Sequence, residues 1–307
     1  MVSETLLPIF SAYGVKDVRL NEPMANHTTW RIGGPADVLV VPTTEGELQG
    51  AVRAAKELEM PVTVVGRGSN VLVLDGGIRG VVVKLHDGFG QIDVEGTSIV
   101  AMAGRSYVSA ANIAVRHGLE GLEFATGIPG TVGGAVMMNA GAYGRETREV
   151  LAWADVMDFN GDIRRYSNAD LKFGYRYSIL KDHPGIVVRA RFDLVEGDRD
   201  VLMAKVKQWS ARRVESQPLS WPNCGSVFRN PEGDHAGHLI EKAGLKGLRR
   251  GGAQISEKHA NFIINCGGAK AEDVLWLIRH AQTTIREQFG IDLETEVRVL
   301  GEPASGR

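Results

Sequence analysis

The sequence predicts an α+β protein of two or three folded units, and three observations carry that prediction. The chain has 307 residues, about two domains at ~150 residues each, long enough to bury a full apolar core. Over residues 36–85, short apolar runs bounded by glycine and proline alternate with a stretch of helical periodicity. Past an acidic, glycine-containing stretch at 196–200 the pattern turns to longer helical runs. A boundary near residue 196 therefore separates a larger N-terminal part from a smaller α+β part of roughly 110 residues. No internal repeat of ~20–50 residues is present.

In chain order, residues 36–41 form the first strand. Thr44-Glu45-Gly46-Glu47 has the form of a capping box, and Leu48, Val52, Ala55 and Leu58 follow at helical spacing, so a helix runs to about Glu59 and Pro61 ends it. Residues 62–65, 71–74 and 81–85 are β-rich and separated by glycine-dense turns. Residues 91–95 and 99–103 flank Gly96-Thr97 as a hairpin, and Ser106 opens a helix that stops at Gly118. Residues 153–159 and 163–166 flank Asn160-Gly161, the pair that most favours a type I′ turn. Residues 186–195 form another strand. Beyond 200 a helix places Val201, Lys205, Gln208 and Arg212 on one face and Leu202, Val206 and Trp209 on another. A helix over 235–243, a strand over 261–265, a long helix carrying Val274, Ile278, Ala281, Ile285 and Phe289, and a strand over 291–300 complete the chain.

Composition excludes several function classes. Lys+Arg 35 against Asp+Glu 37 gives a net charge of −2 without a basic block, which disfavours nucleic-acid coating. The longest uncharged stretch, 124–144, holds Pro129 and six glycines and does not read as a membrane helix. The start lacks the pattern of a signal peptide, and two isolated cysteines, Cys224 and Cys266, make neither a disulfide framework nor a metal pair. The chain is expected to be a cytosolic monomer without membrane or nucleic-acid partners and without a metal. Glycine is the outlier at 38 residues, about 12% against ~7% ordinarily.

Two glycine-rich segments could hold a ligand. Gly66-Arg67-Gly68-Ser69-Asn70, followed by Val71, comes directly after an apolar β-run, where successive backbone N–H groups can converge on a diphosphate. The same five residues also serve as a tight turn between strands. They are neither a dinucleotide fingerprint, since Val71 replaces the third glycine and no helix follows, nor a P-loop. Residues 121–144 hold seven glycines and almost no charge, as Gly127-Ile128-Pro129-Gly130-Thr131-Val132-Gly133-Gly134 and then Asn139-Ala140-Gly141-Ala142-Tyr143-Gly144. A structureless stretch of that length is rarely tolerated without function. Together the two segments imply a dinucleotide-sized cofactor. Phe173-Gly174-Tyr175-Arg176-Tyr177-Ser178 and Cys224-Gly225-Ser226-Val227-Phe228-Arg229-Asn230-Pro231 are polar clusters framed by aromatics. No GxSxG elbow makes Ser226 a hydrolase nucleophile. On the final strand, alternation puts Glu294, Glu296 and Arg298 on one face. Lys246, Arg249, Arg250 and Lys258 form a local basic cluster around Gly251-Gly252.

Taken in order, these motifs together with Thr29-Trp30-Arg31-Ile32-Gly33-Gly34-Pro35-Ala36 and Glu294-Thr295-Glu296-Val297-Arg298 resemble the UDP-N-acetylenolpyruvoylglucosamine reductase family, over nearly the whole chain. Arg67 departs from it where many members carry glycine or a small residue, and Arg250 where an aliphatic is common. The resemblance implies an FAD-binding fold of the vanillyl-alcohol-oxidase type with two α+β subdomains, followed by a smaller α+β substrate-binding domain: an N-terminal segment 1–23, an FAD domain 24–195 and a substrate domain 196–307. It implies non-covalent FAD, NADPH as co-substrate and a UDP-sugar substrate carrying an enolpyruvyl group, reduced in peptidoglycan precursor synthesis.

Carried over by motif, Gly66, Arg67, Gly68, Ser69, Asn70 and Val71, with Gly127, Ile128, Pro129, Gly130, Thr131, Gly133, Gly134, Asn139, Gly141, Ala142 and Tyr143, would hold the cofactor. Arg176, Ser226 and Glu296 would be catalytic: Arg176 and Glu296 where negative charge develops, Ser226 as proton donor. Tyr175, Arg229, Asn230, Arg249 and His259 would bind substrate. The interval of 50 residues from Arg176 to Ser226 resembles the branch that lacks an extra tyrosine-bearing insert. Two rivals are a flavin oxidase of sugars or alcohols on the same fold and a non-catalytic nucleotide-sugar sensor.

Overall fold

The structure, a computed structural model, describes residues 4–304. Its elements gather into two compact units, each with its own apolar core. One comprises the chain up to Leu20, Val38–Arg67 and Gly80–Arg212; the other Asn21–Asp37, Gly68–Arg79 and the chain from Arg213 on. Residues 21–37 and 68–79 thus group with the C-terminal part.

The first unit is built on a five-stranded antiparallel sheet in the order Ile163–Ser167, Leu151–Met157, Ile186–Asp193, Ser98–Met102, Ile92–Glu95. The helix Val132–Met138 packs on Ile186–Asp193. The helix Tyr107–Arg116 is capped by Ser106, which accepts from Ser109 N–H. Its buried Ala110, Ala111 and Ala114 keep the approach to the core close. A second sheet, in the order Val18–Pro23, Pro35–Val40, Ile78–Lys84, Val62–Val65, ends in a parallel pair with Val65 opposite Lys84. The helix Glu45–Glu57 precedes Val62–Val65. Thr44 caps it as expected, whereas the Glu47 carboxylate reaches Thr43 N–H rather than closing the box on Thr44.

The second unit packs the helix Ala271–Phe289 against a short antiparallel sheet, Arg249–Arg250, Ala253–Ile255, Ile263–Asn265. Asp75 accepts from the N–H groups of Ala271 and Glu272 at 2.9 and 3.0 Å and so caps that helix, while Gly290 at φ +70 ends it. Trp30 lies at the centre of this core, its indole N–H on Ile263 O at 2.8 Å and its own carbonyl held by the Asn265 amide at 3.0 Å. The Thr29-Trp30-Arg31-Ile32 motif is thus an apolar anchor.

Three local expectations are corrected. The glycine segment is not structureless, since it contains the helix Val132–Met138. Thr131 caps it by accepting from Gly134 N–H, and burial of Val132, Ala135 and Val136 offsets about 1 kcal/mol for each interior glycine. The hairpin around Asn160-Gly161 exists, but its loop spans 158–162. Asp158 accepts from the N–H groups of Asn160 and Asp162, which selects the wider loop over a two-residue type I′ turn. The closing strand is only Arg298–Leu300, parallel to Val71–Val73, because residues before it bond irregularly to 227–229 instead of forming a ladder. Among the described residues no helix is long and apolar enough to cross a membrane.

Candidate active site

In the first unit the two glycine segments meet. Gly66 ends the strand Val62–Val65 against the first turn of Val132–Met138, so closely that a Cβ there would lie 2.5 Å from Thr131 Oγ1. Any Cβ there would displace the Thr131 side chain, whose hydroxyl caps that helix. The segment 127–134 carries Gly127, Ile128, Pro129, Gly130, Thr131, Gly133 and Gly134 along this contact. Beyond the helix, Asn139 takes a left-handed conformation and is fully buried. Its amide donates to Gly174 O at 2.8 Å and to Glu146, and its oxygen accepts from Arg148 N–H. All of its side-chain polar atoms are therefore used in positioning the chain. Gly141, Ala142 and Tyr143 follow as a short strand and turn.

Asn139 also fixes Arg176. Gly174 and Tyr177 exchange both backbone hydrogen bonds across Tyr175-Arg176, making a two-residue turn with Arg176 at φ +54. That position usually takes glycine, and a side chain there costs about 1–2 kcal/mol. Ser178 Oγ on Met137 O at 2.7 Å and the Asn139 bond to Gly174 hold the turn. The Arg176 guanidinium lies 4.9 Å from the centre of the exposed Tyr175 ring and donates to Gly141 O at 3.2 Å. Strain of this kind in a half-buried arginine is typical of a functional position.

The second unit brings Ser226 and Glu296 onto adjacent segments. Glu296 N–H donates to Val227 O at 2.8 Å, Arg229 N–H to Glu294 O at 2.9 Å, and Phe228 faces Thr295 in an antiparallel bridge. Asn261, which sequence reasoning missed, acts as a short third strand. Its oxygen accepts from Phe228 N–H at 2.9 Å and its amide donates to Phe228 O at 2.8 Å. The signal available was an asparagine opening an apolar run. Asn223 accepts from Gly225 N–H and turns the chain into Ser226, whose hydroxyl has no protein partner among the described residues. The Glu296 charge reaches Cys224: burial first, and that charge second, push the thiol up. Asn70 donates to Glu296 O at 3.2 Å and accepts from Arg298 N–H, so Gly68, Ser69, Asn70 and Val71 run beside the predicted acid.

The substrate candidates differ in environment. Arg229 Nε is buried with no protein partner among the described residues, and its terminal nitrogen is 3.5 Å from Glu294, an arrangement that invites an anion. Asn230 spends its oxygen on Ala236 N–H. His259 is held below its ordinary value by burial and then by Lys246. Its Nδ1 accepts from Asn261 N–H, leaving Nε2 to carry the proton of the neutral ring. Arg249 is exposed on the short strand Arg249–Arg250. Among the described residues no cluster could hold a metal ion.

The donor set fits an anionic dinucleotide. None of the backbone N–H groups of Arg67, Gly68, Ser69 and Asn70 has a protein acceptor among the described residues. Lys84, missed by sequence reasoning, lies opposite Val65 at 8% exposure and feels the charge of Arg67. A buried cation and successive unpaired amides are groups that a diphosphate can use.

A family model described as an FAD binding domain matches residues 36–167. One described as the C-terminal domain of UDP-N-acetylenolpyruvoylglucosamine reductase matches 217–300. The chain is a flavoprotein oxidoreductase with an FAD-binding domain in its N-terminal part. It is 48% identical to the UDP-N-acetylenolpyruvoylglucosamine reductase of Halalkalibacterium halodurans over 97% of this chain and 99% of that one. It is also 48% identical to that of Bacillus subtilis, over 94% and 95%. The crystal structure of the Thermus caldophilus reductase superposes with a TM-score of 0.79 at 38% identity, covering 93% of this chain and 98% of that one. The chain belongs to the UDP-N-acetylenolpyruvoylglucosamine reductase family.

Proposed function

We infer that the chain reduces the enolpyruvyl ether of UDP-N-acetylglucosamine to UDP-N-acetylmuramate, with NADPH as reductant and FAD as carrier, in peptidoglycan precursor synthesis. The observation that carries the reading is the pairing of segment 226–229 with 294–297, beside the glycine loop that Asn70 ties to Glu296. Bound FAD supplies the hydride chemistry; the protein binds, orients and moves the proton.

Each proposed role follows from where charge develops. Hydride arriving at the alkene terminus leaves negative charge on the adjacent carbon and its carboxylate. Arg176, preset by its strained turn, offers a cation with little reorganisation. Ser226 supplies the proton that completes reduction, since its hydroxyl is unbound and the acceptor carbon is strongly basic. Glu296 lies on the segment paired with that of Ser226 and assists at the place where charge develops. Arg229, Asn230, Arg249, His259 and Tyr175 bind the sugar nucleotide. Gly66 to Val71 hold the diphosphate, and residues 127–143 surround the ring system. By order along the chain, residues 24–195 supply the cofactor domain and 196–307 the substrate domain, with residues 21–37 and 68–79 grouping with the latter; family matches at 36–167 and 217–300 support that order. The enzyme works in the cytoplasm as a monomer, without membrane or nucleic-acid partners.

Purified protein should carry the flavin absorbance bands and consume NADPH only when the enolpyruvyl sugar nucleotide is present. Turnover with dioxygen alone would point to an oxidase, and a protein that takes up no FAD would overturn the reading.

A further inference from the structure

The helix Arg199–Ser216 buries Leu202 alone among its side chains, so apolar packing does little to dock it. Two of its side chains, Lys205 and Trp209, reach the glycine segment. Lys205 Nζ is 2.7 Å from the Glu123 carboxylate, which is fully buried and also accepts from Gly121 N–H at 2.7 Å. One turn further along the helix, Trp209 stacks on Tyr143 with ring centres 4.3 Å apart and planes 11° from parallel. The Tyr143 hydroxyl donates to Trp209 O, and Lys205 also lies 4.9 Å from the indole ring.

We propose that Lys205 and Trp209 are positioning residues for the flavin: one helix clamps the two ends of the glycine segment, at Gly121–Glu123 and at Tyr143. The inference rests on the reading that residues 127–143 surround FAD. Tyr143 is in a left-handed conformation, φ +55, which a tyrosine keeps only where its surroundings impose it. Its ring lies so close to Gly127 that a Cβ there would be 2.7 Å from Cε2. The ring thus packs directly on Gly127, at the start of the Ile128-Pro129-Gly130 run. At the other end, burial would raise the Glu123 carboxyl, but the hydrogen bonds from Lys205 and Gly121 outweigh it and keep the group ionised. The clamp thus joins a buried charge to an aromatic stack, and each sets one end of the segment.

The test measures FAD affinity by quenching of flavin fluorescence, with the visible spectrum of the bound flavin, in the full-length protein. Losing one aromatic stack in Trp209→Ala should weaken FAD binding about tenfold and alter the bound spectrum, while Trp209→Phe, which keeps a ring, should stay within about threefold of wild type. The double variant Lys205→Met with Glu123→Gln removes the buried charge along with its partner and should also weaken FAD about tenfold while melting as a folded protein. If Trp209→Ala does not fold, the double variant decides. Folded variants that bind FAD as wild type does, with an unchanged spectrum, overturn the clamp. A wild-type protein that takes up no FAD overturns the cofactor reading as well.

Discussion

In the first unit the candidate residues are placed by backbone packing: Gly66 on Thr131, Gly127 under Tyr143, and Arg176 in a strained turn locked by Asn139. In the second unit Ser226 and Glu296 are placed by hydrogen bonds between two irregular extended segments, with the Asn261 amide in place of a third strand. In the first arrangement an added Cβ at Gly66 or Gly127 would collide with Thr131 or Tyr143, a close fit that suits a cofactor that stays bound. The second leaves side chains open, which suits a substrate that enters and leaves. Substitutions should therefore act on flavin uptake in one region and on a single chemical step in the other.

The largest effect should break the comparison at Arg176, the one candidate in the first unit that is assigned to the substrate's charge. Arg176→Ala should slow flavin reoxidation by the sugar nucleotide about 10²–10³-fold while leaving FAD uptake near normal. Rapid-mixing spectroscopy of the reduced enzyme checks this, and an equal loss of FAD binding would return Arg176 to the cofactor set. Next, Asn261→Ala strips Phe228 of both partners and should cost about 2–4 kcal/mol in chemical unfolding, since each stranded buried group costs about 1–3 kcal/mol. It should slow reoxidation more than reduction.

Lys84 sharpens the contrast through pH. Burial first and Arg67 second lower its pKa to about 8 from the ordinary 10.5. The folded state thus prefers the neutral amine, and stability should rise as pH climbs from about 8 towards about 10.5, where only the unfolded chain still holds the proton. Below about 8 both states are charged and the full burial cost, about 3 kcal/mol, persists. Thermal unfolding across that window should show the rise without FAD, lose it in Lys84→Met, and flatten when the FAD diphosphate balances the charge. The smallest effect belongs to Glu294, whose side chain is 75% exposed. Glu294→Gln should change stability by no more than about 0.5 kcal/mol and leave both half-reactions near normal, while Glu296→Gln slows reoxidation.

Much of this was legible in the sequence because glycine and apolar patterns are local. The hairpins, the Ser106 and Thr44 caps, the long C-terminal helix and the run of motifs all follow from neighbouring residues. The helix within the glycine segment was not, because Val132 and Val136 form helix through burial rather than propensity. Alternation alone set Glu294 and Glu296 on one face. Separating an exposed Glu294 paired with Arg229 from a half-buried Glu296 beside Cys224 took contacts between segments about 70 residues apart. Lys84, Asn261 and the Lys205–Trp209 pair were missed for the same reason: as isolated letters they read as ordinary surface or strand residues.

The most direct measurement follows the flavin absorbance of Ser226→Ala through both half-reactions by stopped flow. Reduction by NADPH should proceed at nearly the wild-type rate, and reoxidation by the enolpyruvyl sugar nucleotide should fall about 10²–10⁴-fold, the range of general acid catalysis. Equal slowing of both, or an unimpaired reoxidation, would contradict the assignment of the proton to Ser226 and the division of labour between the two regions.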